Sequence, residues 1–175
     1  MDQALGPPGT AYEPQYCKPA DEPVATVTLW GCCCAKGMGV ARIFVGELNH
    51  RLYCDILEHN LKPTYQRFYP RGLWRFLQDN ASPHYTAAVN TWMHNHGVHV
   101  MEFPPRSPDL NPIENIWHVL KCRVEKRNPR TAEELEEAIK KEYEAISEEE
   151  CATLMHSMSE RLRQCIAFEG HKTKY

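Results

Sequence analysis

The sequence predicts an α/β domain in which helices pack on a mixed sheet. Two β-rich runs near the start flank a glycine turn, and two further apolar runs too short for helices alternate with helical patterns. The last third is a succession of capped helices with no strand signal. At 175 residues, 42% hydrophobic and 25% charged, the chain suits one domain able to bury a core without staples.

Residues 1 to 23 hold five prolines and read as an irregular lead-in, with the domain proper expected over 24 to 170. Val24 to Cys34 is β-branched, aromatic or small, which predicts a buried strand. Lys36 to Gly39 supplies a turn and Val40 to Val45 a second strand, so the pair reads as a hairpin. A helix is expected from about Asn49 to Leu61, with Leu52, Ile56 and Leu57 on one face and Pro63 ending it. Leu73 to Gln78 is long enough only for a strand. Ser82-Pro83 opens a helix that Gly97 closes, and Val98 to Phe103 alternates as another strand. Four prolines make Pro104 to Pro112 a loop.

Three helices are expected to follow. Asn111 caps the first, with Pro112 at its first position and Ile113, Ile116, Trp117, Leu120 and Val124 at helical spacing. Thr131 with Glu134, and Ser147 with Glu150, predict capping boxes for the other two. Leu135, Ile139 and Ile146 continue the second, and Cys151, Leu154, Met158 and Leu162 the third. Trp30, Trp74 and Trp117 sit in apolar runs and read as core.

Twenty basic against 23 acidic residues give a formal net charge of -3, which argues against a protein that coats DNA by bulk charge. A local basic patch is still compatible with phosphate contact. Lys121, Arg123, Lys126, Arg127 and Arg130 form such a cluster, although a solvated helix surface explains it equally well. The eight cysteines include no Cys-x-x-Cys pair, so they read as reduced, mostly buried thiols rather than a zinc site. His94 and His96 share no helical face and fit the negative end of a helix better than a metal. No run of about 18 apolar residues exists, which leads us to expect an intracellular chain with no membrane partner.

Two carboxylates stand where function is commonly placed. Asp79 follows the predicted strand ending at Gln78, and Glu114 lies in the first turn of the helix opened by Pro112. Brought together, they form a hard-oxygen pocket suited to Mg²⁺ or Mn²⁺. Local structure offers a plainer account of each: a turn residue for Asp79, helix-dipole compensation for Glu114.

Longer motifs bear on that choice. Phe76-Leu77-Gln78-Asp79-Asn80-Ala81-Ser82-Pro83-His84 resembles the second-aspartate motif of Tc/mariner transposases. Ser107-Pro108-Asp109-Leu110-Asn111-Pro112-Ile113-Glu114-Asn115-Ile116-Trp117 resembles their third-carboxylate motif. Thirty-four residues separate Asp79 from Glu114, the spacing of the Tc-like branch. Pro8-Gly9-Thr10-Ala11-Tyr12, Leu29-Trp30-Gly31 and the closing Thr173-Lys174-Tyr175 also match. Each motif is weak alone; their order and spacing together are specific.

The resemblance implies an RNase H-like DDE domain that cleaves and transfers DNA strands at transposon ends. It implies two Mg²⁺ or Mn²⁺ ions and no small-molecule cofactor, with a homodimer on paired ends and a nuclear location. Asp79 and Glu114 become the second and third metal ligands. Asn80, His84 and Asn111 become their supports, and Lys121, Arg123, Lys126 and Arg127 candidates for the DNA backbone. In the family the first Asp precedes the Pro-Gly-x-x-Tyr segment. Here Pro8-Gly9 stands at the start, Asp2 is too close to it, and Asp21 and Asp55 lie beyond it. The first strand and the helix-turn-helix DNA-reading region are therefore expected to be missing, and this chain inactive by itself. The alternatives are a transposase-derived module that binds nucleic acid or protein without catalysis, or the relic of a decayed element.

Overall fold

The computed structural model describes residues 26–175. The expected lead-in, with Asp2, Pro8 to Tyr12, Cys17 and Asp21, lies outside the described residues, as does the start of the first predicted strand.

The hairpin forms, as two short ladders rather than one. Strand β1 (Thr28–Trp30) pairs antiparallel with β4 (Arg42–Phe44), with Leu29 opposite Ile43. Strand β2 (Cys33–Cys34) pairs antiparallel with β3 (Gly37–Met38); the turn falls on Ala35 and Lys36, ahead of the predicted Lys36–Gly39, and Gly37, at φ +118°, opens β3. Gly31 separates the ladders because it lies against the helices: a Cβ there would sit 2.7 Å from the Tyr143 hydroxyl and 2.9 Å from the Trp117 ring.

The predicted helix at 49–61 runs on past Pro63. Asn49 caps α1 (His50–Ile56) through Oδ1, which accepts from the N–H groups of Arg51 and Leu52. A π-helical turn (Leu57–Leu61) follows, then α2 (Lys62–Phe68). The Lys62 N–H reaches back to the Leu57 carbonyl, one residue farther than in an α-helix. That wider turn shifts the register just where Pro63 lacks a donor, so the proline begins a helix instead of ending one.

The two later strands are reduced to a single parallel bridge between Phe76 and Val100. The Phe76 N–H donates to the His99 carbonyl at 2.9 Å, and the Met101 N–H to the Phe76 carbonyl at 2.7 Å. Gly72 and Leu73 both have positive φ, which breaks the extended run at its start. Ser82-Pro83 opens only a 3₁₀ turn (Ser82–Tyr85); Thr86 caps the true helix, α3 (Ala87–Asn95), by accepting from the Val89 N–H. Gly97, at φ +62°, lies just past its end as expected.

After a 3₁₀ turn (Pro108–Leu110), α4 (Pro112–Arg127) begins as predicted with Asn111 at its N-cap position, though that side chain makes no capping bond. In α5 (Ala132–Glu144) Thr131 accepts from the Glu134 N–H, but the Glu134 carboxylate turns to the Arg130 N–H, so only half a capping box forms. The Ser147–Glu150 box at α6 (Glu148–His156) is complete. The third predicted helix divides at Ser157, beyond which α7 (Met158–Ala167) runs, with Leu162 exposed.

The core has two main bodies on either side of the hairpin. Tyr53, Leu57, Leu61, Phe76, Val89, Met93 and Val98 join α1–α3 to the Phe76–Val100 bridge. Leu120, Val124, Ala138, Ile139 and Tyr143 join α4 and α5, covered by Leu29 and Ile43 of the hairpin. Ile116, Ile146 and Cys151 tie α4 to α6. Trp30, Trp74 and Trp117, expected in the core, are half-buried against these bodies rather than inside them.

Candidate active site

Between the hairpin and the Arg75–Asp79 segment lies a cleft of about 740 Å³, walled by Trp30, Tyr53, Trp74, Phe76 and Trp117. Asp79, His84, Asn111 and Glu114 all line it. Four of the five residues singled out for the site thus line one cleft. Asn80 is turned to the neighbouring segment, its amide donating to the Phe103 carbonyl at 2.9 Å.

Asp79 is exposed but fixed on one side. Its Oδ1 accepts from the Ala81 N–H at 3.1 Å and lies 2.8 Å from Nδ1 of His84. No partner for Oδ2 is found among the described residues, which leaves one carboxylate oxygen for a ligand. His84 is fixed in turn: its ring stacks on Tyr53 with centroids 4.3 Å apart, and the Gln78 amide approaches its carbonyl at 3.4 Å. The Tyr53 hydroxyl donates to Oε1 of Gln78 at 2.6 Å inside the core. Tyr53 and Gln78 therefore belong to the site's support. Gln78 lay within the quoted motif without a role, and nothing local marked Tyr53.

Glu114 reaches the same cleft from the first turn of α4, where the helix dipole favours a carboxylate. Burial, and then the negative charge of Asp79, raise its pKa above the ordinary glutamate value. Asn111 is buried beside them. Asp55 takes no part; it pairs with His59 at 3.0 Å and Arg42 at 3.8 Å.

A family model described as DDE superfamily endonuclease matches residues 3–136. The chain belongs to this family. It carries the domain in its Tc/mariner transposase form. Over 170 residues it is 33% identical to the transposable element Tcb1 transposase of Caenorhabditis briggsae and 31% identical to the Tc1 transposase of Caenorhabditis elegans. Both alignments cover 97% of this chain but 62% of the relative, so the chain spans less than two thirds of these relatives' length. Among solved structures, the Mos1 transposase catalytic domain with raltegravir and Mg superposes with a TM-score of 0.74 at 21% identity, covering 85% of this chain and 77% of that one. A pre-cleavage Mos1 transpososome gives 0.71 at 18% identity, over 99% and 52%. These likenesses show the RNase H-like fold, to which the short ladders, the bridge and the flanking helices of this domain belong.

Two carboxylates and an imidazole suit a hard divalent cation poorly as a complete cage but well as part of one. Among the described residues no three or more His, Cys, Asp or Glu side chains converge as a metal site. The flagged basic residues, His94 and His96 lie apart from the cleft, whereas Cys32, Cys33 and Cys34 line it. Arg123 and Arg127 are ion-paired with Glu150 and Glu142, and Lys121 lies 3.9 Å from Glu125. Lys126 alone of the four has no ion pair among the described residues. His96 stacks on Trp92 and lies 3.2 Å from Glu58, a structural use. The seven described cysteines are free thiols, only Cys151 fully buried and the others half-buried. Burial pushes Cys32 up to about 12 and Cys151 up to about 11, so neither is a ready nucleophile at neutral pH. No described helix is long and apolar enough to cross a membrane.

Proposed function

We propose that this domain cleaves and joins DNA strands at transposon ends, with Asp79 and Glu114 as two of the carboxylates that hold Mg²⁺ or Mn²⁺. The observation that carries this reading is that both carboxylates line one cleft, with Oδ1 of Asp79 held by His84 and the Ala81 N–H. A shared cation would offset their two negative charges. Oδ2 of Asp79 has no partner among the described residues, which fits an oxygen ligand in waiting.

A divalent cation bound there would supply the positive charge that activates a water or 3′-hydroxyl and steadies the leaving oxygen of a phosphodiester. The chain's own part is placement. His84 and the Ala81 N–H fix the rotation of the Asp79 carboxylate, and Tyr53 and Gln78 fix His84. Helix α4 presents Glu114 to the same cleft from its first turn. Both carboxylates are solvent-exposed at the cleft mouth, where a DNA backbone can reach them.

Two of three ligands should position metal poorly, so the 175-residue chain taken alone is expected to be orders of magnitude slower than a domain holding all three. Solved Mos1 complexes include a paired-end complex with the left transposon end. By analogy we assign this chain transposon-end DNA, action as a pair, and the nucleus. Fusing the corresponding upstream segment of the Tcb1 transposase ahead of this chain tests the reading. The fusion should nick DNA with Mn²⁺ and lose that activity in Asp79→Ala or Glu114→Ala. Inactivity of a folded, metal-binding fusion would favour a module that binds without catalysis.

A further inference from the structure

The closing residues Thr173 to Tyr175 have no part in the chemistry above, yet Thr173 is only 5% exposed. Beside them Arg161 of α7 is 0% exposed. A guanidinium stays charged in proteins, so its burial demands a full set of partners. Nη1 donates to the Asp109 carbonyl at 2.6 Å, Nη2 to Oδ1 of Asn115 at 2.7 Å, and Nε to the Ser157 hydroxyl at 2.8 Å. The Tyr175 ring lies 4.4 Å from the guanidinium carbon. Oδ2 of Asp109 accepts from the Thr173 N–H at 2.8 Å.

The two acceptors gripped by the guanidinium bracket a single segment. Asp109 stands before Leu110-Asn111-Pro112-Ile113-Glu114, and Asn115 directly after it. Because the guanidinium is a rigid planar fork, it fixes the separation of those two ends, as a lysine could not. The closing segment holds the other side of the same knot through Thr173 and Tyr175.

We propose that Arg161 and the closing segment form a clasp that positions Glu114 for metal binding, with Arg161 and Tyr175 as positioning residues. The inference rests on the reading of Glu114 as a metal ligand. It also gives Thr173 and Tyr175 a role: they close the loop that carries the third carboxylate.

Tyr175→Ala and Tyr175→Phe, made in the full chain, test this with two readouts. One is amide hydrogen exchange over residues 107–116, with 132–144 of α5 as reference. The other is Mn²⁺ affinity by electron paramagnetic resonance, with Glu114→Gln as baseline. Tyr175→Ala should speed exchange over 107–116 by about 10-fold, leave α5 unchanged, and weaken Mn²⁺ binding by about 10-fold, the usual range for a ligand's support. Tyr175→Phe keeps the ring and should restore both. Arg161→Lys should behave like Tyr175→Ala or worse; should it not fold, the Tyr175 pair carries the test. Uniform or unchanged exchange would overturn the clasp, and loosened exchange with unaltered Mn²⁺ affinity would make it merely structural. If the unaltered chain binds no more Mn²⁺ than Glu114→Gln, the metal reading fails, and the exchange arm alone decides whether the clasp holds the loop.

Discussion

His84 places Nδ1 2.8 Å from Oδ1 of Asp79 while its ring lies stacked on Tyr53. The imidazole thus turns a mobile surface carboxylate into one with a set direction. His84→Ala should leave the fold intact and weaken Mn²⁺ binding by about 10-fold or more, as loss of a ligand's support commonly does. Calorimetric Mn²⁺ titration checks it; unchanged affinity would show that Asp79 needs no such guide.

The hydrogen bond from Tyr53 to Gln78 lies behind that pair, and both side chains are buried. Tyr53→Phe removes the donor and leaves Oε1 of Gln78 without it, at a cost of about 1–3 kcal/mol. Urea unfolding should show that loss with an unchanged slope.

Glu114 sets a pH dependence whose sign follows from its raised pKa. The folded state holds this proton to higher pH than the unfolded chain does, so the contribution of Glu114 to stability is fully present below the ordinary glutamate value and is lost as pH rises through the folded pKa. Glu114→Gln should therefore match the unaltered chain in melting temperature near pH 4 and exceed it slightly at pH 7. The margin is small because the carboxylate remains solvent-exposed. Protons and cation compete for the same oxygens, so Mn²⁺ affinity should climb over this window and then level off. Parallel melting scans and metal titrations across pH 4 to 7 read both effects.

The two helix caps differ by one reciprocal bond, and stability should register it. Ser147→Ala breaks a complete capping box and should cost about 1 kcal/mol. In the half box at Thr131, Glu134→Ala removes a bond to the Arg130 N–H and not to the cap itself, so it should cost less than Glu150→Ala, whose carboxylate bonds the Ser147 N–H and pairs with Arg123. Thermal denaturation of these variants compares them directly.

The helices after residue 111 were legible because their signals are local: Pro112 at the first position, Thr131 and Ser147 as caps, and apolar spacing that correctly placed Ile116, Leu120, Val124 and Ile139 in the core. Strand pairing was less legible, since Leu73 to Gln78 looks extended by composition while the left-handed backbone at Leu73 confines it to one bridge. Pro63 misled because a π-turn supplied the register that a proline needs. For the site, the residues alone left Asp79 and Glu114 open to turn and dipole explanations; the order of whole motifs paired them, and the cleft puts them together. Arg161 gave no local sign, because a buried arginine on an amphipathic helix reads like an exposed one until its distant partners are known.

The central claim is that Asp79 and Glu114 share a divalent cation. Electron paramagnetic resonance of Mn²⁺ titrated into the unaltered chain, Asp79→Asn and Glu114→Gln tests it most directly. The account predicts a bound-Mn²⁺ population in the unaltered chain that falls at least about 10-fold in affinity in each variant. Equal binding by all three proteins would contradict it.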